Sequence, residues 1–377
     1  MRKSVRPSAD FSLLEPFWNE TVERTVLPNG LTLIIKPDAA STIASVQVWV
    51  KTGSVHEGSK LGAGLSHYLE HMLFKGTERR AGREISTVVQ AHGGYINAYT
   101  TFDRTVYYID IPGEHVGVAV DVLADAVLHS TLPAGEVEKE KQVILREIAM
   151  GQDDPDNRLF EALFQTAFRQ HPYRHPIIGY RDVFAALSRE DLVAYYKSRY
   201  VPNNLVVVVA GGVEPSAVRA LVQQHFGGEP RRELAPVYIP DESPALAPRR
   251  LHREEEVEVT RAGLAWPIPG LAHADAPALD VLATIFGQGD SSILWQAIRE
   301  KRRLVHSIDA TSWNPGSCGL FYISFTCDAG RREAATAAIQ DECTRWLRRG
   351  CSAAQVRKAV RQMVVSEINA RKTVAGQ

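Results

Sequence analysis

Residues 135–147, Gly-Glu-Val-Glu-Lys-Glu-Lys-Gln-Val-Ile-Leu-Arg-Glu, return 219 positions later as a faint echo, Ala354-Gln-Val-Arg-Lys-Ala-Val-Arg-Gln-Met-Val-Val-Ser366. Few residues are identical, but the surroundings repeat as well. Each segment follows a helical pattern and, before that, a strand: Thr105–Ile111 in one half and Leu320–Cys327 in the other. A period this long implies two copies of one folding plan rather than a single continuous core. It also separates the halves chemically, because Glu140 and Glu147 of the first copy correspond to Ala359 and Ser366 of the second.

The first copy reads as strands followed by helices. Leu-Pro-Asn-Gly30 is a hairpin signal between Glu23 and Lys36, and Ala44–Val50, Tyr95–Thr100 and Thr105–Ile111 are strand-like. Helical spacing covers Val116–Leu128, Gly135–Met150, Arg158–Arg169 and Pro215–Phe226, and Ser188-Arg-Glu-Asp191 forms a capping box. Asn204–Ala210 is a short apolar strand. Gly227–Arg250 is polar, carries five prolines and lacks periodicity, as an interdomain linker does. The expected fold is therefore α+β: two similar domains, each a mainly antiparallel sheet covered by helices. The division is an arm at 1–20, a first domain at 21–226, a linker at 227–250 and a second domain at 251–377. By the repeat offset the second domain would be short of its full length by about 70 residues.

Of 377 residues, 45% are hydrophobic and 23% charged, and the net charge is −1, so neither nucleic acid nor an anionic membrane is an expected partner. No apolar run approaches the roughly 20 residues of a membrane span. Met1–Asn19 has basic residues but no apolar core behind them, which favours a cytoplasmic location. Cys318, Cys327, Cys343 and Cys351 form no C-x-x-C pair and read as reduced thiols.

The chemistry concentrates in His67-Tyr-Leu-Glu-His71. His67 and His71 are i and i+4, one turn apart on one helix face, as two ligands of one Zn²⁺ must be. Glu70 lies between them, free to act on water. From composition this pattern arises by chance in about one such chain in twenty. The alternative is a surface helix with two solvated histidines, but Leu65, Leu69, Met72, Leu73 and Phe74 make the helix apolar on most sides. A buried histidine pair beside a glutamate needs a partner, and a metal supplies one. A catalytic zinc takes a third protein ligand. Glu140 and Glu147, seven apart on one helix, are both candidates, and the apolar neighbours of Glu147 suggest that it is the more buried.

Gly53-Ser54, Gly64-Leu-Ser-His-Tyr-Leu-Glu-His-Met-Leu-Phe-Lys-Gly-Thr77, Gly93-Gly94-x-x-Asn97-Ala98-x-Thr100, Glu140-Lys-Gln-Val-Ile-Leu-Arg-Glu147 and His171-Pro-Tyr-x-x-Pro176 together resemble the pitrilysin/insulinase family of zinc metallopeptidases. That group includes mitochondrial processing peptidase, and its zinc motif runs in the inverted order H-x-x-E-H. Gly287-x-Gly-x-Ser-Ser292 and Leu294-x-x-x-Ile-Arg299-Glu-Lys resemble the family's non-catalytic domain. The resemblance implies one Zn²⁺ per chain held by His67, His71 and Glu147, with Glu70 as general base and Glu140 steadying the site. The 76-residue separation of Glu147 from His71 is the family's spacing and decides between the two acids. Asn97 and Ala98 would lie on an edge strand that pairs with an extended peptide substrate. Arg299 would contact substrate as well. Seven residues beyond it, where tyrosine is expected, stands His306.

The resemblance thus implies an endopeptidase acting on unstructured peptides or presequence-like segments, as a homodimer or with a related subunit. Two alternatives remain: a half-enzyme that needs a partner or further domains, and a non-catalytic structural subunit of the same fold.

Overall fold

The computed structural model describes residues 21–371 and 373; the arm expected at 1–20 lies outside them. In chain order the strands are β1 (Glu23–Val26), β2 (Thr32–Pro37), β3 (Ile43–Val50), β4 (Tyr95–Thr100), β5 (Thr105–Pro112), β6 (Leu205–Gly211), β7 (Thr260–Pro269), β8 (Ser307–Trp313) and β9 (Cys318–Cys327). The helices are α1 (Leu65–Met72), α2 (Gly82–Ala91), α3 (Val116–Leu128), α4 (Ala134–Asp153), α5 (Pro155–Ala167), α6 (Arg181–Ala185), α7 (Arg189–Arg199), α8 (Pro215–Phe226), α9 (Ala276–Gly287), α10 (Arg332–Arg349) and α11 (Ala353–Ala370).

These elements form two compact units. The first, built on residues 21–151 and 175–240, holds a six-stranded sheet in the order β1-β2-β6-β3-β5-β4. All its pairs are antiparallel except β2 with β6. The strands alternate: Val46, Val48 and Val50 of β3 are fully buried, whereas Gln47 and Trp49 between them are not. The inward set meets Leu65, Tyr68, Leu69 and Met72 of α1 and Ala119, Val120, Leu123 and Val127 of α3 in one core. The hairpin turn at Gly30 has φ +88°, a backbone that glycine adopts freely. At the start of α7, Ser188 Oγ accepts the Asp191 N–H while Asp191 accepts the Ser188 N–H.

The second unit, Gln152–Arg174 with Asp241–Asn369, carries an antiparallel sheet in the order β7-β9-β8 around its own core of Phe286, Ile298, Ile323, Phe325 and Ile339. It repeats part of the first: β5, α3 and α4 find their counterparts in β9, α10 and α11. Helix α5 packs on β7 in this unit, although its place in sequence falls within 21–226. The reason lies in its aromatic face, where Phe160 and Phe164 meet Tyr322 and Trp313 of the second sheet. Residues 227–259 contain neither helix nor strand. In the first unit the Glu229 and Ala235 carbonyls accept from Asn29 and Arg199. In the second, Glu242 accepts the backbone N–H groups of Arg169, Gln170 and His171. The four cysteines are free thiols. No helix among the described residues is long and apolar enough to cross a membrane.

Candidate metal centre

A short helix, α1, and a long one, α4, build the site within the first unit. On α1, His67 and His71 stack one turn apart with ring centroids 4.8 Å apart. Glu147 on α4 faces them: its carboxylate oxygens lie 3.7 Å from His67 Nε2 and 3.6 Å from His71 Nε2. One ligand atom from each of the three residues falls within 4.8 Å of the others, the only such His/Cys/Asp/Glu group among the described residues.

The surroundings prepare both rings for a cation. Glu140 Oε2 lies 3.2 Å from His71 Nδ1, which assigns the His71 proton to Nδ1 and leaves the Nε2 lone pair toward Glu147. Lys75 Nζ holds the other Glu140 oxygen at 2.6 Å, so this carboxylate is buried as one half of an ion pair. His67 is neutral: burial, then the adjacent His71, push its pKa down to about 3. Its Nδ1 is buried without a hydrogen-bond partner. Two imidazoles and one carboxylate, with no fourth donor joining them among the described residues, are the donor set of a catalytic zinc, and the residues present fit the ion.

The expected burial of the two acids is reversed. Glu140 is the buried one, at 8% exposure, and the Glu147 side chain is 48% exposed. Ile144 and Ile148 turn to the core; Glu147 lies on the same side of α4 as Glu140 but two turns further along, where its carboxylate is left open beside the two imidazoles.

Glu70 points toward Thr100 at the end of β4. Burial raises its carboxyl above the ordinary value; Thr100 and His71 draw it back, and the Glu147 charge adds to the rise. Strand β4 is the free edge of its sheet. Its Asn97 and Ala98 lie there, and Asn97 Oδ1 accepts the Ala98 N–H while Asn97 Nδ2 donates to Tyr95 Oη. Arg299 belongs to the second unit. Its guanidinium stacks 4.2 Å above the Trp295 ring and donates to the His306 carbonyl, while His306 Nε2 pairs with Asp328. Lys75 and Thr100 stand in the quoted motifs, but their places beside Glu140 and Glu70 had no signal in the sequence, since neither has ligand chemistry and their partners lie 30 or more residues away.

An insulinase (peptidase family M16) model matches residues 32–181, and a peptidase M16 inactive-domain model matches 186–363. The chain belongs to the M16 family. An uncharacterized zinc protease of Mycobacterium tuberculosis is 38% identical over 287 residues, 76% of this chain and 65% of the relative, so the match spans about two thirds of that protein's length. The beta subunit of the mitochondrial-processing peptidase of Lentinula edodes is 31% identical over 82% of this chain and 66% of its own. Among solved structures, a protease from Helicobacter pylori superposes with a TM-score of 0.89 at 25% identity, covering 95% of this chain and 87% of its own.

Proposed function

We propose that the protein is a zinc-dependent endopeptidase that cleaves extended, unstructured peptides. The convergence of His67 Nε2, His71 Nε2 and the Glu147 carboxylate beside Glu70 carries this reading. It is supported by the insulinase model, whose match contains all four residues. When bound, zinc supplies a Lewis acid that polarises the scissile carbonyl and lets water act as a nucleophile near neutral pH. Glu140 and Lys75 hold the His71 ring and fix its tautomer. Glu70 takes a proton from the attacking water on its carboxylate oxygen and returns it to the leaving amine. The edge of β4 receives the peptide as an added strand, and the Thr100 end of that strand brings the peptide backbone to Glu70. Backbone pairing of this kind selects for extended chains over folded ones.

A second reading, an enzyme half that acts only with a related subunit, is favoured by one observation. His306 stands where a substrate-contacting tyrosine is expected and is engaged by Asp328. Hydrolysis of an internally quenched, unstructured peptide by the purified chain, run beside Glu70→Gln at equal zinc occupancy, tests both. Cleavage that vanishes in the variant supports a self-sufficient peptidase. Absence of cleavage in the zinc-loaded wild type overturns self-sufficiency and leaves the half-enzyme.

A further inference from the structure

Helix α1 is eight residues long, and three of them, His67, Glu70 and His71, are site residues. Two turns do not hold a helix in water; packing of Leu65, Tyr68, Leu69 and Met72 seats it on the core, and the bonds at its first turn fix its direction as well. Gly64, at the N-terminal cap, has φ +76° and no side chain to close the first turn. A Cβ there would sit 2.2 Å from the Ile178 carbonyl oxygen, so no capping residue can take its place. The free N–H groups are met instead from the turn that precedes the helix. Glu57 Oε2 accepts the Gly64 N–H at 3.0 Å and Oε1 accepts the Ser66 N–H at 3.0 Å. Glu57 is 4% exposed. The same turn is gripped from its other side by the Ser66 Oγ to Tyr195 Oη bond of 2.8 Å, with Tyr195 donating onward to the Gly53 carbonyl.

We infer that Glu57 is a positioning residue for the metal centre: its buried carboxyl group closes the first turn of α1 and fixes the direction in which His67 and His71 present their lone pairs. The location is an expensive one for folding alone. Burial pushes the Glu57 carboxyl up to about 8, against the pull of the Ser66 and Gly64 N–H bonds. A buried acid maintained at such a cost is the kind of local conflict found at functional sites. Both oxygens must accept, which is why an amide cannot replace it: the nitrogen of glutamine would meet an N–H with another donor.

This inference rests on the reading of His67, His71 and Glu147 as zinc ligands, and the test separates the two. Zinc affinity of the metal-free chain is measured by competition with a chromophoric chelator, at a temperature where circular dichroism shows every variant folded. Wild type is expected to bind one equivalent; failure to bind sinks the ligand reading itself. Glu57→Gln is expected to weaken binding about tenfold, the lower end of what loss of a supporting partner costs a metal site. Glu57→Asp keeps the carboxyl group but falls one methylene short of the two N–H groups, and is expected to lose severalfold; it also stands in should the glutamine variant fail to fold. Tyr195→Phe, which removes the neighbouring grip and leaves Glu57 in place, is expected to stay within about twofold. Wild-type affinity in both Glu57 variants, or an equal loss in Tyr195→Phe, overturns the inference while leaving the ligand assignment intact.

Discussion

The two units build one framework and furnish it differently. In each, a central antiparallel strand leads through a short turn into two consecutive helices, β5-α3-α4 in the first and β9-α10-α11 in the second. The repeat offset places Ala359 where Glu140 stands, and both are buried; it places Ser366 where Glu147 stands, and both are exposed. The environment of each position has therefore been kept while its chemistry has not. A carboxylate can occupy the buried position only in the unit that also supplies Lys75 and His71 to meet it. The candidate metal centre is a set of side chains carried by one copy of a framework that its repeat builds without them.

The sharpest way to test this division is at Glu70. Glu70→Gln is expected to retain zinc and lose hydrolysis by a factor on the order of 10³, read as kcat on a quenched peptide. Exchange at the equivalent buried position comes next. Glu140→Gln is expected to weaken zinc binding about 10- to 100-fold, measured by chelator competition. Ala359→Glu, which buries a carboxylate with no partner, is expected to cost on the order of 3 kcal/mol in urea unfolding and to add no zinc site. Lys75→Met leaves Glu140 unpaired against His71 and is expected to reduce zinc affinity severalfold, less than loss of Glu140 itself.

The smallest effect concerns two carboxyls that both accept backbone N–H groups. Burial raises Glu57 of the first unit to about 8. Glu242 of the second suffers burial too, but three N–H bonds and Arg249 bring it below the ordinary value. The signs are opposite. Folded Glu57 holds its proton more tightly than the unfolded chain does, so its contribution is full below about 4.5 and is lost as pH rises toward 8. Glu242 contributes above its unfolded value and loses that contribution as pH falls through its lower folded value. Thermal melts should therefore show Glu57→Gln flattening the decline in stability between pH 5 and 8, and Glu242→Gln flattening it below pH 4.5.

Local signals were legible where the residues that decide an element are neighbours. The period of Val116–Leu128, the Pro215 start of α8 and the alternation of Tyr95–Thr100 each give their element directly. So did the i, i+4 histidines, because their spacing is itself the geometry. Partnership across the chain was not legible. Nothing near Thr32–Pro37 announces a parallel pairing with Leu205–Gly211, and nothing near Pro155 sends α5 to the second sheet. The acids illustrate the same limit: counting apolar neighbours misjudged Glu147, because the two acids share a helix face and differ in what the rest of the chain lays over them, Lys75 and His71 over Glu140 and open space beside Glu147. Glu57 carried no sequence signal, since its task is to meet N–H groups seven and nine residues away in a turn that the chain closes only on folding.

The central claim, that one unit holds the metal chemistry and its repeat holds none, is tested most directly by anomalous diffraction at the zinc edge from crystals of the zinc-loaded chain. One peak is expected, bounded by His67 Nε2, His71 Nε2 and the Glu147 carboxylate. A peak within the second unit, or none at these three residues, would contradict the account.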